Sequence, residues 1–226
     1  MTNTKLIVFD LDGTFYDLND VIGQVYDCQV SFFCKQRRIS PDVARDIFTE
    51  HGILPYACAE SKSCTEYFES VGVSKDEWAS YRESRFDVMK IDVTKAVDPS
   101  VLRKFAATYS IYLLSSNTHN TIKKILSRLE IDADLFSGIV SSDRFVSSNK
   151  FNKREAMAAV IGRAAVNPKD ALSIGDRYNT DILPMLELGG RGVLVKSPHA
   201  LGPIYESLTA GTAESCEEFA FYGESR

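Results

Sequence analysis

The chain has 226 residues, 44 % hydrophobic and 25 % charged, enough to bury a core without disulfides or a structural metal. Its formal net charge of -5 argues against a general nucleic-acid binder, and three histidines are too few for a histidine-built metal centre. The longest uncharged stretch, residues 105–122, carries Ser110, Ser115, Ser116, Asn117, Thr118, His119 and Asn120, which excludes a membrane span there.

Leu6 to Phe9 is too short for a signal-peptide core. The five cysteines, Cys28, Cys34, Cys58, Cys64 and Cys216, match no common zinc spacing. Their odd number and the lack of a secretory signal point to reduced thiols and a cytoplasmic protein.

In chain order, the first element is an apolar strand, Lys5–Phe9. Residues 15–95 show no strand pattern but several helical stretches, near 20–37, 41–51, 61–71 and 75–90. Asn19, Ser40, Ser61 and Ser74 are candidate caps, and Pro41 suits a first helical position. Then come a helix at 99–108, a strand at 111–115, a helix at 119–130 and a strand at 138–141. A helix at 153–165, a strand at 171–174, a helix at 180–188 and a strand at 192–195 follow. Strands alternating with helices predict an α/β fold, a doubly wound and mostly parallel sheet with helices on both faces. About 80 residues between the first two strands are too many for a crossover. The expected organisation is a Rossmann-like core of 1–14 and 96–210 and a helical insert of 15–95 over the C-terminal edge of the sheet. A loosely ordered tail is expected at 211–226.

The first strand runs into Asp10-Leu-Asp12-Gly-Thr14, and the fourth into Gly175-Asp176 followed by Asp181. In a parallel sheet these two strand ends can be neighbours, which would gather four carboxylates. Such a group repels itself unless a cation is near, and a hard divalent ion such as magnesium suits oxygen donors. Either motif alone is ordinary turn punctuation; both together, each after an apolar strand, are not.

Phe9-Asp10-Leu-Asp12-Gly-Thr14 resembles the first motif of the haloacid dehalogenase-like superfamily. Leu113-Leu-Ser-Ser116-Asn117 resembles its second motif, and Gly175-Asp176 with Asp181 its fourth, in the expected order over roughly 1–197. The insert lies where the branch with a helical cap of the C1 type carries that cap. The resemblance implies a magnesium-dependent phosphatase acting on a small phosphorylated metabolite. Asp10 would be the nucleophile, forming an aspartyl-phosphate, and Asp12 the general acid and then base. The metal would be held by Asp10, Asp176 and the backbone carbonyl of Asp12, with Asp181 orienting its water shell. Ser116, the amide of Asn117 and Thr14 would contact the substrate.

The motif-three lysine departs from the commoner Lys-Pro pattern, the run here being Asn149-Lys150-Phe-Asn152-Lys153-Arg-Glu155. Lys153, just inside a helix capped by Asn152, fits better than Lys150, which stays the alternative. A phosphomutase is expected to show Glu-Asp in place of Gly175-Asp176, and a dehalogenase to lack Asp12. A non-catalytic module that kept the fold is the rival from another class. Gly189-Gly190-x-Gly192 reads as helix termination, and Tyr16, Tyr26, Trp78 and Tyr81 as core packing, with a pocket wall the alternative. His119 reads as a surface or capping residue, with substrate contact the alternative, and Arg177, next to Asp176, could be an outer contact of the site.

Overall fold

The computed structural model describes residues 4–55, 64–145, 151–212 and 215–223. Six strands form one sheet: β1 (Leu6–Phe9), β2 (Ser110–Ser115), β3 (Gly138–Ser141), β4 (Ala171–Gly175), β5 (Arg191–Val195) and β6 (Phe219–Tyr222), in the order β3-β2-β1-β4-β5-β6. All neighbours are parallel except β5 and β6. The strands are apolar without alternation because helices cover both faces. Every residue of β1 is buried.

Residues 18–91 form a compact unit of their own. Its helices are α1 (Asn19–Arg37), α2 (Pro41–Glu50), α3 (Cys64–Ser70) and α4 (Lys75–Arg85). Ser40 and Ser74 accept the first-turn amides of Val43 and Glu77, as capping serines should, and Pro41 opens α2. Asn19 is not a cap: it is the first residue of α1, behind Leu18. Ser61 and Cys58 lie outside the described residues. Phe32, Phe33, Phe48, Phe68 and Trp78 interlock at the centre, the Phe32 and Trp78 rings 5.3 Å apart.

The other unit, residues 1–17 and 92–226, holds the sheet. Its helices are α5 (Pro99–Thr108), α6 (His119–Arg128), α7 (Lys153–Ala164), α8 (Leu183–Glu187) and α9 (Leu201–Ala210). Side chains alternate across β1. Leu6 and Val8 join Leu114, Met157, Val160 and Met185 on the face of α7 and α8. Phe9 meets Phe105 of α5 on the other face, rings edge to face at 5.1 Å, and Phe105 in turn meets Tyr205 of α9 at 5.1 Å. Burying a ring such as Phe105 stabilises the fold by about 2–3 kcal/mol.

Two further sequence expectations change. The sheet unit keeps Phe15, Tyr16 and Asp17 and takes the chain back at 92 rather than 96. The reason is packing: Phe15 lies 5.5 Å from the Phe9 ring and 6.1 Å from that of Phe136, and its carbonyl accepts the Val97 amide at 2.8 Å. Part of the expected loose tail is structured, since Phe219–Tyr222 adds an antiparallel edge strand to β5 with Phe219 buried. A four-residue strand after an acidic stretch has too little pattern to stand out before its partner is known. Helix α9 carries Gly202-Pro203 in its first turn, where a proline forfeits no intrahelical bond.

Among the described residues, no helix is long and apolar enough to cross a membrane.

Candidate active site

β1 and β4 lie side by side in register, Phe9 opposite Ile174, and the Asp10 amide continues the ladder to the Ile174 carbonyl at 2.9 Å. Asp10 therefore leaves the sheet level with Gly175, one residue before Asp176. One carboxylate oxygen from each of Asp10, Asp176 and Asp181 lies within 4.8 Å of the others.

Asp181 comes from the segment after β4. There the chain makes a single wide π-helical turn, Tyr178–Ile182, before α8. The Arg177 amide donates to Asp181 Oδ2 at 2.9 Å and the Asp181 amide returns to the Arg177 carbonyl at 2.9 Å, which pins the carboxylate. Gly175 makes room for it: a Cβ there would stand 2.7 Å from Asp181 Cγ. Wide turns of this kind recur at functional sites because they re-aim a side chain.

Lys153 opens α7 behind Asn152, whose side chain accepts the amides of Arg154 and Glu155 at 2.9 and 3.2 Å. Its ammonium lies 2.5 Å from Asp10 Oδ1 and 2.6 Å from Asp181 Oδ1, with the side chain 13 % exposed. Lys150 lies outside the described residues.

The electrostatics follow. Burial above all holds the Asp10 carboxyl well above the usual carboxylate range; Lys153 opposes this, and Asp181, Asp176 and Asp12 add to it. Asp176 is pushed up to about 7 by burial first and Asp181 second, against Lys153 and Arg177. Burial alone would lower the Lys153 ammonium, but Asp10 and Asp181 outweigh it and raise it well above an ordinary lysine. One ammonium among three carboxylates, two of them buried and that of Asp176 partly so, leaves the group short of positive charge. Asp176 Oδ1 is buried with no hydrogen-bond partner among the described residues. An all-oxygen donor set with an unpartnered buried oxygen fits a hard divalent cation better than a thiophilic one.

The Asp12 carboxylate lies outside this trio. Oδ1 accepts from the Tyr16 hydroxyl and from Asn117 Nδ2 at 3.0 Å; Oδ2 accepts from Asn117 Nδ2 at 2.7 Å and from Ser115 Oγ at 3.5 Å. Ser115 Oγ also accepts the Asn117 amide at 3.1 Å. Ser115, not Ser116, is thus drawn into the network; Ser116 is exposed. Thr14 is fully buried, its hydroxyl without a partner among the described residues. Tyr16, read from sequence as core, is fully buried and also hydrogen-bonded to Asp12. The signal that could have found it is its place four residues after Asp12, across a turn containing Gly13. Arg177 is exposed, and the His119 amide is held by Asp143 Oδ1 at 2.9 Å. Gly189, at φ +85°, closes α8 as the glycine run suggested.

Residues 4–189 match the family model described as haloacid dehalogenase-like hydrolase. In structure the chain is similar to a HAD phosphatase from Thermococcus onnurineus, at 20 % identity and a TM-score of 0.54 over 85 % of this chain and 86 % of that one. It is similar to a haloacid dehalogenase-like hydrolase from Streptococcus pneumoniae, at 22 % and 0.56 over 91 % and 92 %. It also resembles a 2-haloacid dehalogenase from Pseudomonas syringae pv. Tomato, at 18 % and 0.54 over 92 % and 99 %. At these identities the likeness is one of fold. No curated protein matches the chain in sequence.

Proposed function

Since the chain belongs to the haloacid dehalogenase-like hydrolases, we propose that it is a magnesium-dependent phosphatase that hydrolyses small phosphate monoesters through an aspartyl-phosphate on Asp10. The observation that carries this reading is the buried Asp10 carboxylate at the end of β1, grouped with Asp176 and Asp181 and held by Lys153 at 2.5 Å.

Asp10, Asp176 and Asp181 would hold the cation, Asp181 through the water around it, with the Asp12 carbonyl as a further oxygen donor. Bound magnesium would offset the negative charge of carboxylates and phosphate alike. Lys153 fixes one Asp10 oxygen and adds positive charge where an anionic ester must approach an anionic nucleophile. Asp10 attacks phosphorus and the ester oxygen leaves with a proton from Asp12. Asp12, now a base, takes a proton from the water that splits the aspartyl-phosphate, which regenerates Asp10 and releases inorganic phosphate. Ser116, the Asn117 amide and Thr14 are the proposed phosphate contacts. The all-helical unit of 18–91 suits the part of a cap in such an enzyme.

The test is hydrolysis of para-nitrophenyl phosphate with magnesium, with excess chelator, and by Asp10→Asn. Magnesium-dependent turnover that falls at least about 1,000-fold in Asp10→Asn is expected. Turnover that survives either change sinks the proposal, and metal-indifferent release of halide from a 2-haloacid would favour a dehalogenase.

A further inference from the structure

Tyr16 is not among the groups that the phosphatase reading uses, yet its hydroxyl ends on the one carboxylate that reading makes do acid and base work. The turn between them is tightly built. Gly13 sits at φ +76°, the Thr14 and Phe15 amides both return to the Leu11 carbonyl at 3.3 and 2.9 Å, and Asp12 and Tyr16 pair as an isolated bridge. Phe15, between the rings of Phe9 and Phe136, anchors the turn. The Tyr16 ring is 0 % exposed, so its hydroxyl cannot be satisfied by bulk water. Asn117, the second donor to Asp12, lies two residues past the end of β2, its own carbonyl fixed by the Ser142 amide at 3.1 Å. Asp12 is thereby held by two separate parts of the chain, a donor on its own turn and a donor just past the neighbouring strand.

We infer that Tyr16, with Asn117, is a positioning residue that sets the rotamer of Asp12 for proton transfer to the leaving group. This rests on the phosphatase reading. A proton donor must meet the departing oxygen at hydrogen-bond distance while the bond breaks, and a carboxylate free to rotate spends most of its time elsewhere. Tyr16 touches no reacting atom; it acts only through Asp12. Its contribution therefore scales with how much the leaving group needs a proton.

Tyr16→Phe keeps the buried ring and removes only the hydroxyl. The experiment compares kcat/KM of wild type and variant, with magnesium, on phenyl phosphate and para-nitrophenyl phosphate. The two esters are similar in shape but differ in how well the leaving group departs unprotonated. The expected result is a loss of about tenfold on phenyl phosphate and less than about twofold on the nitrophenyl ester. Equal losses on both esters, as a merely structural role would produce, or no loss on either, overturn the inference while leaving the phosphatase reading intact. Wild-type protein inert toward both esters sinks that reading and this inference with it. Should Tyr16→Phe fail to fold, Tyr16→Met, which also lacks the hydroxyl but keeps an apolar side chain in the buried site, is held to the same split.

Discussion

Gly13 passes so close to Asp176 that a Cβ on it would stand 2.6 Å from the Asp176 Cγ, and it does so at φ +76°. The glycine joins the first and fourth motifs physically. A side chain there would be strained in the backbone and would displace a member of the carboxylate trio. Gly13→Ala is therefore expected to lose about 1–2 kcal/mol of stability from the left-handed backbone alone and to drop activity by about 100-fold as Asp176 moves. Thermal unfolding and ester hydrolysis measure the two effects separately. Gly175→Ala, which crowds Asp181 from β4, should reproduce the activity loss.

Lys153 is the buried cation of the site. Replacing it by methionine leaves Asp10 and Asp181 facing each other without an ammonium between them. In chelator, urea unfolding of Lys153→Met should show a loss of about 3 kcal/mol. Millimolar magnesium should recover more stability in the variant than in wild type, because the ion then supplies the missing positive charge. Equal recovery would mean that Lys153 and the cation do not share the same carboxylates.

His119 titrates below an ordinary histidine because burial, then Arg144 and Lys123, disfavour its charged form against the opposing pull of Asp143. An unfolded histidine takes up its proton near 6.5, and the folded one only at lower pH. Between those points the unfolded chain binds more protons at this residue, so the His119 contribution to stability falls as pH drops through that window and is constant above it. The ring-proton NMR titration of His119 should show a midpoint below 6.5, and His119→Gln should remove that residue's share of the pH dependence.

The thiols should separate by burial. Burial pushes Cys28 up to about 11 and Cys64 higher still, while Cys216 is exposed. Because the thiolate is the reactive form, an alkylating reagent at pH 8 should label Cys216 rapidly and Cys28 and Cys64 only on unfolding. Peptide mapping by mass spectrometry reads the order.

Much of this was legible beforehand, for reasons visible in particular residues. Apolar runs buried on both faces announced β1 through β5, and α2 and α7 begin where Pro41 and the capping Asn152 put them. What failed to show was structure held by distant partners. Residues 219–222 become a strand only beside β5, and Phe15 and Tyr16 belong to the sheet unit because Phe9, Phe136 and Asp12 claim them. The wide turn at Tyr178–Ile182 has no local signature, since its purpose is to aim Asp181 at groups far off in the chain.

The alternation of strands and helices from β1 to β5 and the presence of acidic residues just past β1 and β4 follow from sequence alone. Hydrophobic period and strand-end chemistry are local properties of the chain. Which oxygens meet was decided only in three dimensions, by β1 lying beside β4 on one flank and β2 on the other. That pairing sends Asp10 toward Asp176, Asp181 and Lys153 but turns the carboxylate of Asp12 toward Tyr16 and Asn117. Side-chain direction depends on register and on neighbours more than a hundred residues away, and no local pattern encodes it.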